Sequence, residues 1–315
     1  MRLVFFGSGA FGLPTLEALS KSHDIVAVVT QPDKPAGRGS PLTPTPVGAW
    51  AAGNLPGAHI VKPQKVNAPD TVEFIRDLGA DAWVVIAFGQ KLSPELLKGV
   101  FAINLHASLL PRWRGAAPIN AAIIAGDEVT GNSVITLADR MDAGQVLGTS
   151  RRPIDDHVTA GEMHDLLSSD GAELVLSVLA ARHRDKLEPR TQDEAAVTLA
   201  GKFTKADGRI DWSAPARACL RRVHGLTPWP GVTVMFRDQP MKLLRCALAS
   251  GTHAAPAGSI VDVDDGTIAC GNGTLLKLLE VQPAGSRGML WGDFSCGRHP
   301  KAGEVLAAPP AEAAP

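Results

Sequence analysis

Cysteine and aromatic residues are scarce in this chain: 315 residues hold 4 cysteines, no tyrosine and only 5% aromatics. Cys219, Cys246, Cys270 and Cys296 stand far apart and form no C-x-x-C pair. That spacing offers neither a disulfide framework nor a zinc cage, and a reducing compartment, the cytoplasm, is the expected setting. No apolar run approaches the roughly 20 residues that a membrane span requires. Nor is there a recognisable leader, because MRLVFFGSGAFG passes from a short apolar run straight into glycines and reads as a first strand and turn. A formal net charge of −1 excludes indiscriminate attraction to nucleic acid.

What is present fits a soluble globular protein, 45% hydrophobic and 20% charged, with length enough for two domains. The runs RLVFF, DIVAVVT, DAWVVIAFG and FAINLH alternate with helical stretches such as FGLPTLEALSKS. Strands buried on both faces and separated by helices predict a doubly wound, mainly parallel α/β sheet over residues 1–183. The polar, unpatterned RDKLEPRTQDEAA reads as part of a linker over 184–203. Short strands broken by Gly and Pro then predict a small β-barrel or sandwich over 204–306, and AAPPAEAAP a disordered tail over 307–315. Charge is unevenly shared: residues 1–200 hold 18 Lys+Arg against 22 Asp+Glu, and residues 201–306 hold 13 against 9. A basic second half suits a polyanion, and equally a solvated basic face.

Gly7, Gly9 and Gly12 spell G-x-G-x-x-G after the first strand, the pattern of a dinucleotide phosphate site. The second strand, however, ends in Thr30 and Gln31 where such a site requires an acidic residue. The glycines therefore read as a tight turn at the sheet edge.

The stretch INLHASLLPRWRGAAP, residues 103–118, carries the chemistry. Burying an unpartnered amide or imidazole costs about 1–3 kcal/mol, and Asn104 and His106, two apart on a strand, face the same way. The strand is expected to end near His106, on the edge where open α/β sheets bind ligands. Asp142, in RMDAGQVL after SVITLA, offers a third polar group. Amide, imidazole and carboxylate together suit acyl transfer, the first steadying an oxyanion and the others managing a proton. Ser108 has no G-x-S-x-G context and no base that spacing reveals, which favours direct transfer over a covalent intermediate. Pattern alone leaves a second reading open, in which Asn104 and His106 are satisfied polar groups of a core.

N-x-H followed by SLLP and a later Asp resembles the formyltransferases that draw on 10-formyltetrahydrofolate. The likeness takes in NLHASLLPRWRGAAPINAAIIAGD, TLADRMDAGQVL, FFGSGAFGLPTLEAL, VVTQPDKPAGRG, LTPTPV, KFTKADGRIDWS and GLTPWPG, and so covers nearly the whole chain. These segments look like those of members that formylate methionyl initiator tRNA. The resemblance implies a formyltransferase-like Rossmann domain followed by an OB-like barrel that binds tRNA. It implies that Asn104, His106 and Asp142 are catalytic, with Asn104 and a protonated His106 stabilising the oxyanion and Asp142 relaying the proton. Folate is expected against Ala87, Phe88, Gly89, Gln90 and Leu92, against Ser108, Leu109, Leu110 and Pro111, and against Asp139. Initiator tRNA is expected at Lys34 and Arg38 in the loop QPDKPAGRGSPLTPTP and at Lys202, Lys205 and Arg209. That loop lacks the lysines common in the family after GRG and PTPV, which shifts weight to the C-terminal cluster, where Arg221 and Arg222 also lie. The resemblance calls for no metal or redox cofactor and suggests a monomer. The rivals are a formyltransferase acting on a small amine, a hydrolase with water as acceptor, an NAD(P) oxidoreductase resting on the glycines alone, and a non-catalytic tRNA-binding module.

Overall fold

A computed structural model describes residues 1–35, 39 and 41–309. The chain divides into two compact units: Met1–Gly115, Gly131–Arg152 and His164–Leu199 form one, and Ala116–Thr130, Pro153–Met163 and Ala200–Pro315 the other. Among the described residues, no helix is long and apolar enough to cross a membrane.

The first unit is built on a seven-stranded sheet. Its strands run in the order His59–Val61, Asp24–Val29, Arg2–Gly7, Ala82–Ile86, Ala102–His106, Val129–Thr136 and Val146–Pro153. The strands from His59–Val61 to Ala102–His106 are parallel, and Val129–Thr136 runs antiparallel to its neighbour. The mainly parallel sheet expected from the buried runs is thus present. Arg2–Gly7 and Ala82–Ile86 lie side by side although the chain between them first builds the opposite edge, so strand order reverses there. Such a reversal opens a crevice at the carboxyl ends of the strands. Beneath it, Phe6 packs against Trp83 and Phe88 with ring centroids 5.3 and 5.6 Å apart.

Packing favours two of the glycines after the first strand. A Cβ on Gly7 would lie 2.5 Å from Phe5 Cε1 and 3.0 Å from the Ile86 carbonyl oxygen, and one on Gly12 would press on Phe5 and Ile86. Helix starts follow local rules: Thr45 accepts from Gly48 N ahead of Pro46, and Ser93 accepts from Leu96 N ahead of Pro94.

The second unit is a smaller antiparallel β structure. Its strands run in the order Val232–Phe236, Gln239–Ala249, Leu275–Pro283, Thr267–Ala269 and Ile260–Asp262, with Met289–Leu290 added beside Leu275–Pro283. Ala307 exchanges backbone hydrogen bonds with Met235. The helix Ala216–Leu226 buries Ala216, Cys219, Leu220, Val223 and Leu226 in the core of this unit.

That core also holds His224, 1% exposed, whose Nε2 accepts from Cys246 N at 3.1 Å. Burial, aided by the nearby Arg245 guanidinium, lowers its pKa from 6.5 to about 4. The folded state therefore refuses a proton that the unfolded chain accepts. The associated stability is complete above about pH 6.5 and is lost as pH falls towards 4, on the order of 3 kcal/mol in all. Urea unfolding midpoints should fall across this window for the wild type and stay nearly level for His224→Gln; equal slopes for both proteins would contradict the assignment. Glu162 acts at lower pH. Burial opposes its charge, but Arg245 and the Thr159 N–H and hydroxyl outweigh burial and hold its pKa at about 2.

Candidate active site

Asn104 and His106 are the third and last residues of Ala102–His106, on the face opposite Leu105. Among the described residues the Asn104 amide has no hydrogen-bond partner within the protein. His106 is 7% exposed, and its Nε2 lies 2.9 Å from the Trp113 carbonyl oxygen. A carbonyl only accepts, so Nε2 carries hydrogen. Nδ1 faces Asp142 Oδ2 at 3.6 Å, within ion-pair distance but too far for a hydrogen bond. Nδ1 is therefore the ring nitrogen left to address a substrate, with Asp142 beside it. Asp142 Oδ2 also accepts from Gly115 N at 2.8 Å, so a backbone N–H aims the carboxylate.

Three non-glycine residues here adopt left-handed backbone: Ala87 at φ 47°, Trp113 at φ 63° and Asp142 at φ 54°. Each such residue costs on the order of 1–3 kcal/mol and persists only where its surroundings fix it. Trp113 is fixed by its N–H on Thr198 Oγ1 at 2.9 Å and by the His106 ring on its carbonyl.

Around this centre stand the residues expected to meet folate. Ala87 and Gly89 are exposed at the carboxyl end of Ala82–Ile86, while Phe88 and Leu92 are buried. The Phe88 carbonyl accepts from Ser8 Oγ at 3.1 Å and from Gln31 Nε2 at 3.2 Å, so the glycine-rich turn and the end of the second strand anchor this segment. Gln90 spends its amide within the protein, accepting from Val66 N at 2.8 Å and donating to the Pro63 carbonyl at 3.2 Å. It is thereby placed as a buttress for its loop. Lys91 Nζ donates to the Asp139 carbonyl at 2.9 Å and ties the segment to the exposed loop that ends at Asp142.

In the SLLP turn, Ser108 is fully buried and its hydroxyl donates to the Arg112 carbonyl at 2.6 Å, a geometry unsuited to nucleophilic attack. Ser133, missed in the sequence, donates to the Ser108 carbonyl at 2.7 Å and accepts from Leu110 N at 3.0 Å, holding the turn from the next strand. Leu110 packs with Ile135 and Val146, while Leu109 and Pro111 are half-buried.

Gln192 was also missed: the segment 184–203, expected to be a polar linker, carries it into the interior at 7% exposure. Its Nε2 donates to the Asp142 and Gly144 carbonyls, both at 2.7 Å. Buried Arg114 donates to its Oε1 and pairs with Glu194 at 2.9 Å. Arg114 first, then Arg140, holds the Glu194 carboxyl below the usual carboxylate range.

Lys34 is exposed on a short ladder in which it pairs with Thr43, and Arg38 lies outside the described residues. Lys202, Lys205 and Arg209 are exposed, and Arg209 donates to the Pro309 carbonyl at 3.0 Å. Arg222 is engaged internally, on the carbonyls of Arg209 and Asp207. Among the described residues, no group of three or more His, Cys, Asp or Glu is placed to hold a metal ion.

A mainly parallel sheet presents an amide and an imidazole at one strand end, a carboxylate faces the imidazole, and a smaller β unit follows in the chain; the class to which this arrangement belongs is the formyl transferases. Residues 1–179 match the family described as Formyl transferase, and residues 202–299 match Formyl transferase, C-terminal domain. The methionyl-tRNA formyltransferase of Bradyrhizobium diazoefficiens is 43% identical over 311 residues, covering 96% of this chain and 98% of that protein. That of Magnetococcus marinus is 40% identical over 310 residues, covering 97% and 98%. The chain belongs to the methionyl-tRNA formyltransferase family. Among solved structures, WlaRD, a sugar 3N-formyl transferase in the presence of dTDP and 5-N-formyl-THF, superposes with a TM-score of 0.68. At 12% identity over 91% of this chain and 99% of that one, it shares the fold.

Proposed function

We propose that this protein transfers the formyl group of 10-formyltetrahydrofolate to the α-amine of methionine esterified to initiator tRNA, for use in translation initiation in the cytoplasm, and that it acts as a monomer. The observation that carries this reading is the Asn104 amide, which has no hydrogen-bond partner among the described residues, on the same strand face as a His106 ring whose Nδ1 faces Asp142.

The folate supplies the one-carbon unit, and the protein's own groups provide the rest. As the amine adds to the formyl carbon, negative charge gathers on the formyl oxygen. Asn104 and, through Nδ1–H, His106 in its imidazolium form donate to it, and such hydrogen bonds are strongest where charge develops in the transition state. Asp142 takes the proton shed by the amine and returns it to the departing folate nitrogen. No protein nucleophile is needed, in keeping with the buried, donating hydroxyl of Ser108. Ala87, Phe88, Gly89, Gln90, Leu92, Ser108, Leu109, Leu110, Pro111 and Asp139 form the folate surroundings in this reading, Gln90 and Ser108 by holding backbone in place. Lys34, Arg38, Lys202, Lys205 and Arg209 contact tRNA phosphates in this reading, a role for which the exposed Lys34, Lys202, Lys205 and Arg209 are suited, while Arg38 lies outside the described residues.

The test is a competition assay with 10-formyltetrahydrofolate as donor. Charged initiator tRNA should be formylated with a specificity constant at least about 100-fold above that for an amino sugar or a free ribosylamine. Preference for a small amine, or formate release without any acceptor, would overturn the assignment.

A further inference from the structure

The carboxylate end of Asp142 is aimed by Gly115 N, but its backbone is held from the other side by a residue far along the chain. We propose that Gln192, locked by Arg114, is a positioning residue that sets Asp142 against His106; the proposal rests on the reaction assigned above.

Every hydrogen-bonding position of the Gln192 amide is used. Its two N–H groups meet the Asp142 and Gly144 carbonyls at 2.7 Å. Its oxygen accepts from Arg114 Nε at 3.0 Å and Nη2 at 2.9 Å. Four partners with these roles leave one orientation for the amide, and Arg114 itself is only 5% exposed. The adjacent backbone closes the circuit: Trp113 O receives His106 Nε2, and Gly115 N donates to Asp142 Oδ2. Three consecutive residues thus hold the imidazole, the positioning amide and the carboxylate. Asp142 needs this support, since it sits at φ 54° and the preceding Met141 is 72% exposed.

Gln192→Glu is a sharp test. It keeps size and the Arg114 contact but turns an oxygen towards two carbonyl oxygens, so the Asp142 loop must move. Gln192→Met, which keeps length and removes all four bonds, carries the same tests if the first variant fails to fold. With the full chain, charged initiator tRNA and 10-formyltetrahydrofolate, kcat should drop about 10- to 100-fold, as for other residues that orient a reacting group. KM for both substrates should stay within about twofold. In an Asp142→Asn background the same substitution should change kcat by less than about twofold, because the two residues act as one unit. In parallel, the ring ¹⁵N signals of His106, read without substrate, should shift in Gln192→Glu. Full kcat, a loss that multiplies independently with Asp142→Asn, or an unmoved His106 signal would each overturn the proposal. If the wild type transfers no formyl group, the assigned reaction fails instead, and the His106 signal still decides whether Gln192 positions this pair.

Discussion

His106→Ala should lower kcat for formyl transfer by about 10³-fold, within the range seen when a positioned acid–base group is removed. Binding of charged initiator tRNA should stay within about twofold. The asymmetry follows from geometry: the ring is 7% exposed and bonded through Nε2 to the Trp113 carbonyl, which in the proposed reaction leaves only Nδ1 for the reacting atoms. It offers little surface to the tRNA. In the proposed reaction alanine removes the charge-assisted donor from the developing oxyanion, and it also removes the His106 bond to the Trp113 carbonyl, so a modest loss of stability should accompany the loss of rate. Steady-state kinetics beside a filter-binding isotherm separates the two. A variant that retains turnover, or loses tRNA affinity in proportion, would place the chemistry elsewhere.

Asp142→Asn isolates charge from shape. Asparagine can still accept from Gly115 N through its side-chain oxygen, and it tolerates the left-handed backbone at φ 54°. The carboxylate that faces His106 Nδ1 at 3.6 Å is gone. If Asp142 carries the amine proton as proposed, kcat should fall by about 10²-fold or more while KM for the folate donor is unchanged. A fall confined to KM would mean that Asp142 binds substrate and moves no proton.

The sequence made the sheet and its reactive edge legible for a physical reason. RLVFF, DIVAVV and AWVVI are buried on both faces, and parallel strands covered by helices leave an uninterrupted apolar run. A polar pair at the end of such a run is conspicuous, and the strand does end at His106. The groups that aim this pair were hidden. The Trp113 carbonyl and Gly115 N are backbone atoms and leave no side-chain signature. Gln192 lies in a polar, unpatterned segment that reads as linker, because a buried amide with four partners looks like a solvated one until those partners are seen. Gly7 and Gly12 imitated a phosphate loop, whereas a Cβ at Gly7 would collide with Phe5 and one at Gly12 would crowd Phe5 and Ile86. The helix Ala216–Leu226 did leave a signal, apolar residues at 216, 219, 220, 223 and 226 in helical period, which the arginines between them masked.

In the proposed mechanism the formyl group passes directly from one nitrogen to the other beside Asn104, His106 and Asp142. A single-turnover experiment with formyl-labelled 10-formyltetrahydrofolate, excess protein and charged initiator tRNA, quenched in acid at successive times, tests it most directly. Label should leave the folate and arrive on methionyl-tRNA at the same rate, with none on the protein at any time. Label trapped on the protein, or released as formate ahead of the tRNA product, would contradict direct transfer.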